Sequence, residues 1–336
     1  MLKKNMSKVF LSFIIPAYNS ERYIEPCLDS IINQTCDDYE IVIINDGSTD
    51  RTSDIIDKYI KEYPEKTIRV YMQQNQGISS ARNNGIDKAQ GEYITFVDHD
   101  DWIEKNYVQK VKNKLQSENS DMLVFGYNTI DENDNIIHTL PVAKDKKWAR
   151  WGVCTVWLIV AKRDLFVRNE IYFPENLFNE DIPVAINLSF YSQKFTTLNE
   201  ILYHYRVYIG NTCSKIHQKY ESSPESRRNV FRVFSDIITK LDKQDEKDLV
   251  IYNAIKFYYG LLFVYFKYNT KEELLDEYEK YTKALVEFFP NYKRAKIHLF
   301  KPKGEPFMKR FAVWVAMIFD RMGIFKILLL IVNKKI

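Results

Sequence analysis

Cysteine is scarce in this chain, which has only four among 336 residues. They are Cys27, Cys36, Cys154 and Cys213, and their spacing matches no metal-ligand pattern. We therefore expect free thiols in a reducing compartment and predict no zinc site.

Long apolar runs and glycine-rich nucleotide loops are also missing. No stretch reaches the roughly 18 uninterrupted apolar residues of a membrane-spanning helix. Residues 1–7 contain two lysines but no apolar segment ahead of a cleavage site, so no secretory signal is predicted and the cytoplasm is favoured. The absence of a Walker loop and of G-x-G-x-x-G disfavours ordinary ATPases and dinucleotide dehydrogenases.

Charge is unevenly distributed along the chain. The overall net charge is only +3, yet residues 291–336 contain 11 Lys and Arg against two acidic residues. A basic tail on an acidic body indicates an anionic partner surface, either membrane or nucleic acid. With 46% apolar and 28% charged residues, the chain as a whole is typical of a globular protein.

The first hundred residues alternate between short apolar runs and helical patterns. Because the strands are continuously apolar and start roughly every 25–30 residues, they predict βαβ units in a parallel sheet. Ligands of such sheets bind beyond the carboxyl ends of the strands. The predicted strands are residues 9–17, 40–45, 68–72 and 93–97, and the helices lie near 55–63 and 78–89.

The fourth predicted strand ends in three carboxylates within four residues: Asp98, Asp100 and Asp101. Carboxylates this close repel one another unless a cation lies between them, and oxygen ligands suit a divalent metal. The cluster therefore predicts an active site for a phosphorylated ligand. The alternative is a solvated acidic loop.

In the second half, the pattern predicts a helix after residue 107, a strand at 122–127 and a polar turn at 131–135. A further helix at 184–191 follows Asn179, Glu180 and Asp181, and residues 221–290 are predicted to be all helical.

Several motifs, taken in order, resemble the family 2 glycosyltransferases of the GT-A fold. The resemblance covers about residues 9–215, with His99 in place of a small residue and Asn179 in place of a glycine. The motifs are FIIPAYN at 13–19, NDGSTD at 45–50, GISSARN at 77–83, FVDHDD at 96–101, KRDL at 162–165, Phe173, Glu180-Asp181 and YHYR at 203–206.

This resemblance implies an α/β fold, with a Rossmann-like, mixed nucleotide-binding sheet covered by helices on both faces. It implies a GT-A domain over residues 1–215, with a nucleotide-sugar half at 9–115 and an acceptor half at 116–215. A helical region at 216–290 and a basic amphipathic tail at 291–336 would follow.

The resemblance also implies a nucleotide-sugar donor, most often UDP-linked. Asp46 would accept a hydrogen bond from the uracil imide, and Arg82 would direct its charge toward the nucleotide or toward Asp46. Without the resemblance, Asp46 is a turn aspartate and Arg82 a surface residue. Pro16, Ala17, Tyr18, Asn19 and His99 complete the expected nucleotide site.

By the same resemblance, Asp98 reaches the ribose and Asp100 coordinates Mg²⁺ or Mn²⁺ at the diphosphate. Asp101 is expected to cap a helix beginning near Trp102, with support of the metal site as the alternative. The metal would stabilise the leaving group as its charge grows.

Asp181 is the expected general base of an inverting, single-displacement transfer, with Glu180 contacting the acceptor or orienting the loop. The alternative is a carboxylate pair at a helix N-terminus. His204 and Arg206 are expected near a loop over the diphosphate, as phosphate contacts or in a structural role.

Two apolar segments in the tail, residues 311–319 and 324–332, predict amphipathic helices lying in a membrane interface. The alternatives are helices docked on the protein or in a homo-dimer. Nucleic acid is disfavoured, because the aromatic residues cluster with aliphatic ones rather than with the lysines. The acceptor would be a glycan or a lipid-linked glycan at the cytoplasmic face of the membrane, in cell-surface polysaccharide synthesis.

Three other functions are compatible with parts of this pattern. A haloacid dehalogenase-type phosphohydrolase also has a D-x-D pattern, but in that family the pattern follows the first strand and is completed by Thr or Val two residues after the second Asp. Here the pattern follows the fourth predicted strand and Trp102 occupies that place, so this function is disfavoured. A nucleotidyltransferase would use the same sheet edge. A non-catalytic partner subunit is disfavoured because all the carboxylates are retained.

Overall fold

The computed structural model describes residues 9–175, 177, 179–208, 224–265 and 270–333. These form two compact units. The first comprises the described residues within Met1–Val142, Cys154–Asn176 and Glu180–Val207. The second comprises those within Ala143–Val153, Leu177–Asn179 and Tyr208–Ile336. The predicted boundary at residue 215, Cys213 and the predicted absence of a secretory signal at residues 1–7 lie outside the described residues.

The first unit is built on a mixed sheet. Its described strands are β1 Leu11–Ala17, β2 Tyr39–Asn45, β3 Ile68–Met72, β4 Tyr93–Phe96, β5 Trp102–Ile103, β6 Met122–Ile130, β7 Ile136–Leu140, β8 Ile159–Lys162 and β9 Phe195–Arg206. They lie in the order β3-β2-β1-β4-β8-β6-β9-β5, with β7 also paired to β6. Strands β3, β2, β1 and β4 are parallel, whereas β8 runs antiparallel to both β4 and β6. The predicted mixed α/β sheet is confirmed.

The central strands are buried along their whole length. Every residue of β1 and β2 is buried, as their uninterrupted apolar sequences predict for a sheet covered by other elements. The edge strand β3 is only partly buried. The four predicted N-terminal strands are therefore confirmed, and their carboxyl ends lie at one edge of the sheet.

Helices flank these strands. In the first unit they are α1 Ile24–Ile32, α2 Thr52–Glu62, α3 Ile78–Lys88, α4 Tyr107–Glu118, α6 Arg163–Arg168 and α7 Asp181–Tyr191. Helix α3 packs on β1 and β2, and this packing depends on Gly85. A Cβ atom at Gly85 would lie 2.3 Å from Cγ2 of Ile14, so only glycine allows this close approach.

The second unit is helical. Its described helices are α5 Lys146–Gly152, α8 Pro224–Lys240, α9 Gln244–Gly260, α10 Lys271–Phe288, α11 Phe307–Arg321 and α12 Phe325–Val332. The two tail helices agree with the predicted apolar segments and are separated at Gly323, whose φ is +73°. Within the ranges that the structure describes, no helix has both the length and the apolarity to span a membrane.

Three sequence predictions about local structure are wrong or incomplete. Strands β7, β8 and β9 were not predicted, since β7 and β9 mix polar with apolar residues and the apolar run of β8 is only three residues long. No helix begins near Trp102, which instead lies in β5 and pairs with His204 of β9. Asp101 therefore cannot be a helix cap.

A buried carboxylate on β2 connects neighbouring segments of the sheet. Glu40 is fully buried and forms an ion pair with Arg69 of β3. It also accepts hydrogen bonds from Ser12 Oγ at 2.5 Å and from the backbone N–H of Gln90 at 2.6 Å. One side chain thus connects β1, β2, β3 and the segment before β4.

We expect Glu40→Ala to lower the free energy of unfolding by about 3 kcal/mol, because it leaves the half-buried guanidinium of Arg69 and the N–H of Gln90 without their buried acceptor. Urea denaturation followed by circular dichroism measures this change. The exposed Glu65→Ala is the control and should be near neutral. Equal stability of the two variants would contradict this role for Glu40.

Candidate active site

The loops that follow β1 and β2 are fastened to each other at the carboxyl edge of the sheet. The backbone N–H of Asn19 donates to Ser48 Oγ at 3.0 Å, and Asn19 Oδ1 accepts from the N–H of Thr49 at 2.8 Å. Asp46 donates its N–H to the carbonyl of Ala17 at 2.8 Å. The sequence motifs at 13–19 and 45–50 therefore form one continuous surface.

Other residues predicted for the nucleotide site lie at this same edge. His99 Nδ1 is 3.2 Å from the carbonyl oxygen of Pro16, which joins the loop after β4 to β1. The Tyr18 side chain is 45% exposed, so its ring is available to a ligand. The structure thus brings Pro16, Ala17, Tyr18, Asn19 and His99 into one region.

Asp46 has a buried carboxylate that binds the loop before α3. Its Oδ1 accepts from Gln73 Nε2 at 2.8 Å and from the N–H of Gln76 at 2.9 Å, and its Oδ2 accepts from the N–H of Gly77 at 2.8 Å. These bonds fix the turn in which Gly77 has a φ of +88°, a conformation that favours glycine. Asp46 therefore holds the backbone that directly precedes the first residue of α3.

Arg82 does not face Asp46, and that alternative from the sequence is wrong. The guanidinium lies between Asp98 on one side and the adjacent pair Glu180 and Asp181 on the other. Its Nη2 is 2.9 Å from Asp98 Oδ1, while its Nη1 is 2.7 Å from Glu180 Oε1 and 2.7 Å from Asp181 Oδ1. Arg82 is only 2% exposed, so the sequence alternative of a surface residue is also wrong.

This arrangement sets the protonation of the site. Burial lowers the pKa of Arg82, but the three nearby carboxylates outweigh burial and raise it, so Arg82 stays charged. Burial raises the pKa of Asp181 to about 7, and the negative charges of Glu180 and Asp98 add to this effect while Arg82 opposes it. A carboxyl with a pKa near 7 can exchange a proton at physiological pH.

Packing holds the Arg82 side chain in place. The guanidinium lies over the ring of Phe173, 5.1 Å from its centroid. The neighbouring Asn83 fixes Phe173, since Asn83 Nδ2 donates to the Phe173 carbonyl at 2.8 Å and Asn83 Oδ1 accepts from its N–H at 2.7 Å. Asn83 was not among the predicted site residues, and its position next to Arg82 was the only signal.

Asp181 is the first residue of α7, and Glu180 directly precedes it. Asp181 Oδ2 also accepts from the N–H of Val156 at 3.4 Å. Asn179 has a φ of +60°, the left-handed conformation that asparagine tolerates better than most residues. This explains why asparagine can replace the glycine usual at this place.

Asp101 stabilises the turn at residues 98–101, here called the acidic turn, from within the core. It is buried, and it accepts from Tyr203 Oη at 2.6 Å and from the backbone N–H of Arg206 at 2.8 Å. Burial raises its pKa well above the ordinary value, with Asp100 and Asp98 as further causes. Its role is to fasten the turn to β9, in place of the predicted helix cap.

His204 and Arg206 lie in strand β9, not in a loop. His204 stacks on Trp102 at 3.5 Å, and its Nε2 is 2.9 Å from Glu104 Oε1. Burial lowers the pKa of His204, which disfavours the positive charge that a phosphate contact would use.

Arg206 is held by protein groups. Its Nε donates to the carbonyl of Asp100 at 3.0 Å, and its Nη2 is 2.8 Å from Asp134 Oδ1. These contacts give Arg206 a structural role at the base of the acidic turn.

The donor set of the acidic turn fits a hard cation that a ligand helps to bind. Among the described residues, no group of three or more His, Cys, Asp or Glu side chains could hold a metal alone. Mg²⁺ commonly uses one or two protein carboxylates and completes its shell with substrate phosphates and water. Asp100, with Asp98 two residues away, supplies such a set.

Comparisons with known proteins agree with this geometry. The family model described as "Glycosyl transferase family 2" matches residues 12–184. The glycosyltransferase GlyA of Streptococcus pneumoniae serotype 4 is 33% identical over 221 residues, which are 60% of this chain and 31% of GlyA. The match thus spans less than a third of that relative.

Two solved structures have the same fold. S. aureus TarS 1–349 in complex with UDP-GlcNAc has a TM-score of 0.70 at 20% identity, covering 94% of this chain and 92% of TarS 1–349. The mannosyltransferase PcManGT of Pyrobaculum calidifontis, in complex with GDP-Man and Mn²⁺, has a TM-score of 0.56 at 15% identity, covering 94% of this chain and 89% of that one. With the sequence motifs gathered at one sheet edge and a family model matching over half of its length, this chain belongs to glycosyltransferase family 2 and has a GT-A fold.

Proposed function

We propose that this enzyme transfers a sugar from a UDP-sugar to a hydroxyl of a glycan or lipid-linked acceptor, with inversion and with Asp181 as general base. The observation that supports it most is the bridge made by Arg82. One guanidinium connects Asp98 of the acidic turn with Asp181 at the start of α7. The proposed donor and acceptor carboxylates therefore lie within the reach of a single side chain.

The donor would bind along the joined loops after β1, β2 and β4. Asp46, Pro16, Ala17 and Asn19 would form the base and ribose pocket, bordered by Tyr18 and His99. The three hydrogen bonds already accepted by Asp46 hold its carboxylate in one orientation. UDP as the nucleotide is supported by the ligand of TarS.

Mg²⁺ or Mn²⁺ would be held by Asp100 at the donor's diphosphate. When bound, the cation would supply electrostatic stabilisation for the leaving diphosphate. The charge at the site favours such a partner, because the guanidinium of Arg82 faces three carboxylates and leaves the cluster with an excess of negative charge. Mn²⁺ in the PcManGT complex is a further support.

The transfer step uses Asp181 in its ionised form. The acceptor oxygen attacks the anomeric carbon from the face opposite the leaving group, and its proton passes to the carboxylate of Asp181. The bond between the anomeric carbon and the phosphate oxygen breaks with its electron pair on UDP. Such a positioned base contributes ~10²–10⁴-fold to a rate.

Glu180 and Arg82 position this base. Arg82 favours the ionised form of Asp181 against the effect of burial, which raises its pKa. Glu180 shares Nη1 of Arg82 with Asp181 and limits where the guanidinium can lie. Arg82 is thus a positioning residue in this proposal, and Asp181 is the catalytic one.

We further propose that the enzyme acts at the cytoplasmic face of the membrane in cell-surface polysaccharide synthesis. The basic, apolar tail supports a peripheral membrane contact through residues 311–332 rather than a homo-dimer. The proposed domains of the chain are a GT-A domain over 1–215, a helical region over 216–290 and a tail over 291–336.

Asp181→Asn tests the base. We expect it to retain UDP binding and to lose transfer by ~10²–10⁴-fold, since the amide cannot accept the proton. Transfer from UDP-sugars and UDP-induced thermal stabilisation would be measured side by side. The exposed Asp57→Asn, which makes the same chemical change on α2, is the matched control. Unchanged transfer by Asp181→Asn would refute the assignment.

Asp100→Ala tests the proposed metal ligand without relying on turnover. In the parent chain we expect UDP with Mn²⁺ to raise the melting temperature more than UDP alone. In Asp100→Ala the additional stabilisation by Mn²⁺ should disappear, because the protein carboxylate that binds the cation is gone. Asp57→Ala should keep it. A full Mn²⁺ response in Asp100→Ala would exclude Asp100 as the ligand.

The pH dependence tests the link between Arg82 and Asp181. Because the base must be ionised, kcat/KM for transfer should rise with pH and level off above the Asp181 pKa of about 7. Arg82→Gln removes the opposing positive charge, so this limb should move to higher pH by about one unit or more. An unmoved limb would show that Arg82 does not act on Asp181.

A further inference from the structure

The second unit contains an open, basic cavity that the proposed reaction does not use. Its volume is about 480 Å³, and it is lined by residues 293–298 and Arg321. Arg321 shapes its wall, since Nε donates to the carbonyl of Lys293 at 2.7 Å and Nη2 to that of Ala295 at 2.5 Å. A guanidinium that binds two carbonyls fixes the short segment to the end of α11.

Three side chains at this cavity carry or can carry positive charge and have no acidic partner in the described part of the chain. They are Arg294, Lys296 and His298, and all three are exposed. Lys293 differs, because its Nζ forms an ion pair with Asp320 at 2.8 Å.

The exposed ionisable side chains in the described part of the tail are basic, although Lys326 forms an ion pair with Glu279 of α10 at 2.7 Å. The tail has only two acidic residues in its sequence, Glu305 and Asp320, and both are buried. Glu305 Oε2 lies 3.5 Å from Nζ of Lys256, and Asp320, which is only 1% exposed, forms the ion pair with Lys293 described above. Within residues 291–333, every exposed ionisable side chain is therefore basic.

Large apolar side chains are exposed around this basic segment. Phe300, two residues after His298, is 74% exposed, and Met322, next to Arg321, is 65% exposed. Helix α11 buries Val313, Ala316 and Met317 along one face, yet Met308 on the same helix is 70% exposed. Phe307 and Phe311 on this helix are also exposed, and such an apolar cluster outside the buried face is typical of a surface that contacts a second apolar environment.

We propose that the cavity formed by residues 293–298 and Arg321 binds the phosphate of an anionic lipid, while the exposed apolar side chains enter the bilayer. The occupant is a lipid rather than a symmetry-related second copy of the chain, because a two-fold contact would bring the same positive charge against this surface. This inference gives a specific binding site to the peripheral membrane contact proposed above, and it rests on that contact but not on the transfer chemistry.

Vesicle sedimentation with the full chain tests this site. The chain should bind vesicles of phosphatidylcholine and phosphatidylglycerol in equal amounts, and bind pure phosphatidylcholine much more weakly. Arg294→Ala/Lys296→Ala should lower the affinity for the anionic vesicles roughly 30-fold, since each basic residue near such a surface contributes about 1 kcal/mol.

The matched control is Lys61→Ala/Lys243→Ala, which removes the same charge from exposed positions outside the tail. It should bind within about twofold of the parent chain, because attraction to the surface falls off within a Debye length. An equal loss in both variants would overturn the site in favour of general charge attraction. UDP-induced stabilisation should be unchanged in both, which separates this test from that of the proposed function.

The apolar contribution is tested by Phe300→Ser/Met308→Ser. It should weaken binding to the anionic vesicles without lowering the melting temperature, because both side chains are exposed. Unchanged vesicle binding would overturn the insertion of these side chains. Saturable binding of inorganic phosphate without any vesicle binding would assign the cavity to a soluble ligand and overturn the proposal. So would a dimer in sedimentation velocity that Phe300→Ser/Met308→Ser dissociates.

Discussion

The organisation of the catalytic unit depends on one buried cation. Arg82 contacts Asp98, Glu180 and Asp181 at 2.7–2.9 Å, and these residues come from α3, the turn after β4 and the start of α7. At such distances and an effective dielectric near 20, the Coulomb attraction of each charge pair is roughly 6 kcal/mol before desolvation is considered. Removal of the cation would leave three carboxylates close together in a largely buried site, which explains why Phe173 and Asn83 pack so closely around it.

This constraint also accounts for the different environments of the aspartates. Asp46 and Asp101 are buried acceptors that hold turns in place through backbone N–H groups. Asp181 is the carboxyl whose pKa burial raises to about 7, with Arg82 as the opposing charge. Residues that look equivalent in the sequence therefore differ in their partners, since Asp46 and Asp101 are bound by backbone N–H groups whereas Asp181 faces the guanidinium of Arg82.

The sequence predicted the parts of the fold that have a simple pattern. Continuous apolar runs predicted β1 to β4, and the polar residues after them predicted the edge where the site lies. Strand β9 was missed because Phe195–Arg206 alternates irregularly between polar and apolar residues, and its buried His204 and Arg206 resemble loop residues. Asp101 resembled a helix cap because its partners, Tyr203 and Arg206, lie about a hundred residues away. The Arg82 bridge was missed for the same reason, since sequence patterns report local structure and give no register between distant segments.

The central claim is that Arg82 and burial together set the ionisation of Asp181. The most direct measurement is a titration of the Asp181 carboxyl by ¹³C NMR, with Asp181→Asn used to assign its resonance. We predict a midpoint near 7 in the parent chain, because burial raises the pKa of this carboxyl and Arg82 only partly opposes that rise. A midpoint near 4, the ordinary value for an exposed aspartate, would contradict the account.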